Sequence, residues 1–330
     1  MVRSQTVTWA LLAAVAVAAP SAGQGRQNQP NQQTQPAPPA PRPFDALLPR
    51  IAATAPGTYV VNGTTLAPAP EAARIPMLLQ GDVLRGPEGI ARVGIVIGAE
   101  VPQAVDIRLR VWTVAAGGDA ARVVADAGGS GTSGPMRLVR EFSLAPGDYD
   151  IEAVVGEPGA GSGQVSGQVV ALAKSRLTVP DVRGGSLAVT PVVLGEAAVS
   201  PRRADVPFIF GGTTLTPSVR ANFPQEGAIS VAFRIYNWTA KADEKPDLTV
   251  DYLFYEKGTK GLHFFNKVKP QQLNGDTLGQ VFDPSAGSVA AGMKIPLAAF
   301  TFGDFQLTVR VTDNRSKQTA ERQLSFAVAP

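Results

Sequence analysis

Beyond residue 57, apolar and polar positions alternate with a period of two. Ile107, Leu109 and Val111 fall on one side of a segment whose other side is Asp106, Arg108 and Arg110. Leu248, Val250, Tyr252 and Phe254 likewise share a face, with Thr249 and Asp251 opposite. Alternation of this kind, broken by clusters of Gly, Pro and Asp, predicts short strands half buried against a core. In Ala145-Pro146-Gly147-Asp148 the proline presets φ and the glycine accepts a positive φ, so a tight turn leads into a strand. The aromatic that follows, Tyr149, is expected to point into the core.

The pattern also repeats in order along the chain. Gly63-Thr64-Thr65-Leu66-Ala67-Pro68 is matched by Gly212-Thr213-Thr214-Leu215-Thr216-Pro217. Pro87-Glu88-Gly89 and Gln225-Glu226-Gly227 each open an apolar strand, and Gly147-Asp148-Tyr149 is matched by Gly303-Asp304-Phe305. A terminal strand follows in each half, at 176–180 and 323–328. Four anchors in one order predict two tandem copies of one unit. The expected fold is all-β: two tandem Ig-like or fibronectin-like β-sandwich domains, 57–199 and 200–330, of about seven short strands each. The second copy holds sixteen of the 22 aromatics, so its core should be the better filled. Two glycine-rich stretches of the first copy, 115–135 and 156–168, read as mobile loops.

The beginning of the chain follows another pattern. Arg3, the apolar run Trp9 to Ala19 and the small residues Ser21-Ala22-Gly23 read as a secretory signal peptide over 1–23. Eleven apolar residues rise about 16 Å as a helix, roughly half a ~30 Å hydrocarbon core, so no membrane span is expected. Residues 24–43 contain six Gln and six Pro and should form a disordered linker, partly polyproline II. Phe44, Leu47, Leu48 and Ile51 suggest a short docking segment that closes the linker region at 56. The mature protein is therefore expected in a bacterial periplasm or the medium.

Composition then removes function classes. Thirty Lys+Arg against 27 Asp+Glu leave a net charge of only +3 in 330 residues, too mild for an evident nucleic-acid binder. The absence of Cys removes disulfides, thiolate metal sites, thiol nucleophiles and a lipidated-cysteine anchor. A single His removes sites that need two imidazoles. Gly129-Ser130-Gly131-Thr132-Ser133-Gly134 satisfies GxGxxG, but a strand rather than a helix is expected after it, so it reads as a flexible loop. No GxxxxGK[ST], GxSxG or HExxH motif and no EF-hand ligand ladder occurs. The charged loop 241–247 alternates lysines with its acids and makes a poor calcium site. Asn62, Asn237 and Asn314 open formal glycosylation sequons.

One segment concentrates candidate chemistry. Tyr255, Lys257, Lys260, His263, Phe264, Phe265, Lys267 and Lys269 crowd around a Gly-containing turn in a chain that is otherwise nearly neutral. If strict alternation holds, Lys267 and Lys269 share a face with Phe265 beside them. Such a surface could grip an anionic or sugar ligand by charge and stacking. The structural alternative is a hairpin whose aromatics enter the core while its lysines guard an edge strand. His263 has no nominated nucleophile to serve and reads as a partly exposed strand residue.

Phe264-Phe265-Asn266-Lys267-Val268-Lys269-Pro270-Gln271-Gln272-Leu273-Asn274, the run Ile295 to Phe300 and the run Gly303 to Asp313 resemble an accessory C-terminal β-sandwich module. That module occurs in exported acidobacterial-type proteins related to von Willebrand factor A or of the GWxTD type. Leu144 to Tyr149, Val179-Pro180-Asp181 and Leu187 to Pro191 are similar to sandwich segments of the same proteins, so the likeness spans roughly 85–330. Neither a DxSxS cation motif nor a GWxTD tetrapeptide is present, so the resemblance implies the accessory sandwich alone, without a catalytic or metal site.

The expectation is a non-enzymatic exported interaction protein, binding another envelope or secreted protein, without cofactor, metal or nucleic acid. The alternative is a carbohydrate-binding module using Tyr255, Phe264 and Phe265. Paired carboxylates hydrolysing a glycoside would be the third reading.

Overall fold

The computed structural model describes residues 59–61, 64–66, 75–113, 123–158, 165–201, 203, 205–240, 244–278, 282 and 286–330. The signal peptide, linker and docking segment expected over 1–56 lie outside the described residues. The described chain is almost entirely strand. A hairpin, β1 (Tyr59–Val61) and β2 (Thr64–Leu66), comes first. Then follow β3 (Met77–Arg85), β4 (Ala91–Val101), β5 (Val105–Thr113), β6 (Val123–Gly131), β7 (Gly134–Leu144), β8 (Gly147–Pro158) and β9 (Val165–Val179). The later part contains β10 (Ala188–Val189), β11 (Val193–Val199), β12 (Ile209–Phe210), β13 (Thr213–Pro217), β14 (Asn222–Pro224) and β15 (Ala228–Tyr236). It continues with β16 (Leu248–Gly258), β17 (Gly261–Lys267), β18 (Gln271–Leu273), the single helical turn α1 (Gly275–Leu278), β19 (Val289–Pro296), β20 (Gly303–Asp313) and β21 (Thr319–Ala329).

Two sheets, β6-β5-β8-β9 and β3-β4-β7, form the first sandwich. Ile107, Leu109 and Val111 of β5 meet Val93, Ile95 and Ile97 of β4 in its core, as the alternation requires. The second sandwich pairs β10-β15-β11-β13-β12, with β19 on β15, against β14-β21-β20-β16-β17, with β18 on β16. Phe233, Tyr252, Phe254, Phe300, Phe305 and Phe326 fill its core. Six ring pairs among Phe254, Phe265, Phe300, Phe305 and Phe326, 5.0–5.8 Å apart, gather at the β20 end. The parallel pairing of β14 with the last strand, β21, is the Ig-type closure of the sandwich.

The repeat is visible in the backbone. β1–β2 and β12–β13 are hairpins of one register, Val61 opposite Thr64 in the first and Phe210 opposite Thr213 in the second. Gly147 and Gly303 open β8 and β20 with φ +151° and +152°, the positive φ that a side chain would resist. Tyr149 donates its hydroxyl to the carbonyl of Ala145 at 2.8 Å, the tyrosine corner of Ig-like sandwiches; Phe305 takes that place in the second copy without the bond.

Three expectations change. Sheet partners are exchanged between Val179 and Ala188, ahead of the expected division at 199/200: β11 pairs with β13 and β15 of the second sandwich. Turn composition around 200 marks a loop within the second unit, and pairing partners are invisible to composition. The GxGxxG stretch, expected as a loop, is the end of β6 and a tight turn into β7. Its glycines serve packing: a Cβ at Gly129 would come within 2.6 Å of Leu138, and one at Gly131 within 2.3 Å of Met136. Of the 156–168 loop, 156–158 and 165–168 extend β8 and β9.

The outer faces of two sheets also meet, so β4 is buried on both sides. Gly94, Val96 and Gly98 face the second sandwich, where a Cβ at Gly94 would lie 2.5 Å from Pro207 and one at Gly98 2.7 Å from the Ser218 carbonyl. Val96 packs with Val193, Phe208, Phe210, Leu215 and Ala232. Polar groups lock this layer. Asp82 is fully buried and takes Nε and Nη2 of buried Arg234, each at 2.9 Å. Asp82 also accepts the Phe208 N–H at 2.8 Å. Gln80 makes a two-way bond with the Leu194 backbone, standing in for a strand. The Tyr236 hydroxyl donates to the Val83 carbonyl at 2.9 Å, and burial raises its pKa to about 12.

Candidate functional site

The basic-aromatic segment is the β16–β17 hairpin at the edge of its sheet. Gly258 pairs with Gly261 across the two-residue turn Thr259-Lys260, and Gly261 has φ +114°. β16 keeps the predicted alternation: Leu248, Val250, Tyr252 and Phe254 are buried, with Leu253 and Tyr255 half-buried on the outer face. β17 does not. A bulge between Phe254 and Tyr255 of β16 leaves Phe265 as the extra residue of β17.

The bulge divides the candidate residues. Phe264, opposite Tyr255, projects outward and is 60% exposed, its ring edge-on to Tyr255 at 5.8 Å. Phe265 turns to the core and packs on Phe300 and Phe305 at 5.1 and 5.2 Å. The expected surface that set Phe265 beside Lys267 and Lys269 is thus corrected: the bulge exchanges Phe265 for Phe264. Lys267, opposite Leu253, and Lys257, opposite Leu262, share the outer face with Tyr255 and Phe264. Lys260 is at the tip, and Lys269 lies in the connection to β18. His263 is exposed opposite Glu256, its ring about 3 Å from where a Cβ on Gly258 would stand.

Among the described residues, none of the four lysines makes an ion pair. The neighbouring acid, Glu256, accepts the Thr301 hydroxyl at 3.0 Å. The outer face continues across the sheet by register: Phe264, Tyr255, Gln306 and Ser325 form one row, and Lys267, Leu253, Thr308 and Gln323 the next. Phe302, 55% exposed, stands in the loop just ahead of β20. It is an apolar surface residue that alternation could not flag, because it belongs to no strand.

Nothing in this surface gathers a metal: among the described residues no three His, Asp or Glu side chains come together as a cation site. Two sequons are in structural use. Nδ2 of Asn237, at φ +59°, donates to the carbonyls of Asp181 and Gly184 at 2.6 and 2.8 Å, and Nδ2 of Asn314 donates to Asp247 at 2.8 Å. Asn62 lies outside the described residues.

No protein family profile matches the chain, and no curated protein does. Among solved structures it is similar to a transglutaminase from red sea bream, at 10% identity and TM-score 0.21. The likeness covers 76% of this chain but spans only 31% of that enzyme's length, and at this similarity it carries no argument about function. No helix among the described residues is long and apolar enough to cross a membrane.

Proposed function

We propose that the protein is an exported, non-enzymatic β-sandwich interaction module that binds another envelope protein through the β16–β17 hairpin. The observation that supports this most is the exposed Phe264 ring on a face shared with Lys257 and Lys267, with Lys260 at the tip and Lys269 just beyond β17, none of the four in an ion pair among the described residues. An apolar anchor flanked by lysines without ion pairs suits a partner with acidic groups beside a small apolar hollow. The resemblance to accessory sandwich modules of exported proteins supports the exported β-sandwich part of this reading. A glycan is the second reading, favoured by the Tyr255–Phe264 pair and weakened by the inward turn of Phe265.

A photocrosslinking residue at Phe264 of the full chain, irradiated in native envelope fractions, is expected to give one discrete protein adduct. The adduct should be lost when Lys257, Lys260, Lys267 and Lys269 are all changed to Glu, with circular dichroism unchanged, and should weaken with salt. An adduct indifferent to both would sink the proposal. A glycan captured in its place would favour the second reading.

A further inference from the structure

A cleft of about 240 Å³ opens at the seam of the two sandwiches, between β3 and β9 on one side and Pro191, Val192 and β21 on the other. Leu78, Leu79, Leu177, Val192 and Leu324 contribute apolar wall, and Ser175, Arg176, Thr178, Arg322 and Gln323 contribute polar groups. Its volume is below the ~300–1,000 Å³ of sites for drug-sized ligands and suits a small ligand or the end of a longer chain.

Arg322 is out of place by the logic of the fold. It pairs with Val309 on the side of β21 whose neighbours Ala320 and Leu324 pack on the core. In the first sandwich the matched position, reached from Gly147 as Arg322 is reached from Gly303, is Ala173 opposite Ala153. One copy of the repeat therefore has a methyl group where the other has a guanidinium. Among the described residues Arg322 makes one hydrogen bond, from Nη1 to the Glu321 carbonyl at 2.9 Å, and no ion pair. Arg176, in contrast, is neutralised by Asp150 at 3.0 Å. Asp148 offsets Arg322 only in part: burial still pulls the Arg322 pKa down, and Asp148 itself takes the Thr178 hydroxyl at 2.7 Å. A half-buried guanidinium with N–H donors to spare, above an apolar wall, is suited to receive an anionic group.

We propose that this cleft binds a small apolar carboxylate, its carboxylate on Arg322 and its hydrocarbon against Leu78, Leu79, Leu177 and Leu324. The carboxylate can belong to a free medium-chain acid or to an apolar chain terminus. This site is separate from the hairpin and does not depend on the function proposed for it.

Titration calorimetry on the full chain tests the site with three probes: octanoate, 1-octanol and N-acetyl-Ala-Leu. One carboxylate probe should bind at one site with Kd on the order of 0.1–1 mM, as expected for a ligand this small, and octanol should not. Tighter binding of octanoate marks a free acid as the ligand, and tighter binding of the dipeptide marks a chain terminus. Arg322→Ala, which installs the residue of the sister copy, should weaken binding about tenfold or more. Gln323→Trp, at an exposed position on the cleft wall, should block it even if Arg322→Ala fails to fold. Absence of saturable binding, equal binding of octanol, or wild-type affinity in folded Arg322→Ala would each overturn the proposal.

Discussion

Changing Asp82 to Ala removes one residue from the first sandwich and strands a charge in the second. Arg234 is 2% exposed and would keep the carbonyls of Ile209 at 2.8 Å and Val206 at 3.5 Å and the Phe210 ring at 4.8 Å from its guanidinium carbon. The Phe208 N–H would lose its acceptor as well. Breaking a buried pair from one side costs about 3–5 kcal/mol, and an orphaned buried N–H about 1–3 kcal/mol; the two share a site and will not add in full. A loss of about 4 kcal/mol is a large part of a typical domain's stability. It should fall mainly on the contact between sandwiches, since Asp82 and Arg234 belong to different ones. Urea unfolding followed by fluorescence can resolve this in two backgrounds that each retain one tryptophan, Trp112 in the first sandwich or Trp238 in the second. The wild type should show one coincident transition, and Asp82→Ala an earlier one with the two probes separated. The double change Asp82→Leu with Arg234→Met should recover most of the loss, since apolar replacements of a buried pair are often neutral or stabilising. A cost below about 1 kcal/mol for Asp82→Ala, or a double variant no better than the single one, would refute the assignment of this pair as the lock.

Two further outcomes follow from the same packing. Gly98→Val should cost about 1–3 kcal/mol in chemical unfolding, more than Gly184→Val at an open position, because its Cβ would meet the Ser218 carbonyl and Val219 Cα at 2.7 Å. Asp313 accepts the N–H groups of Thr239 and Arg315 and the Ser316 hydroxyl. Although burial raises its pKa, these bonds lower it further, from 3.8 to about 2. Its folded pKa is below its unfolded one, so its stabilisation is full above about pH 4 and is lost as pH falls through 2. Asp313→Asn should therefore destabilise at pH 6 and approach the wild type at pH 2; an equal deficit at both pH values would count against this linkage.

Period-two alternation, turn chemistry and the ordered anchors determine on their own that this chain builds strands, that Tyr149 and Phe305 open equivalent ones, and that two sandwiches repeat. Those features are local: side-chain direction in a strand and positive φ at glycine depend on a few adjacent residues. The tertiary structure decided whatever depends on a distant partner. Gln80 and Asp82 are two polar residues in an apolar strand, and only the arrival of Leu194 and Arg234 across the seam makes them a lock. Gly94 and Gly98 offer a strand no side chain to pack, and only the second sheet lying against them gives that bareness a use. At the hairpin, the sequence located the cluster, but a single bulged residue determined which of two adjacent phenylalanines met the core. Alternation carries no record of a slip by one residue, because pairing register is set by the neighbouring strand. The same holds for Arg322: its oddity is legible only once β21 is laid over β9, where the sister position is an alanine.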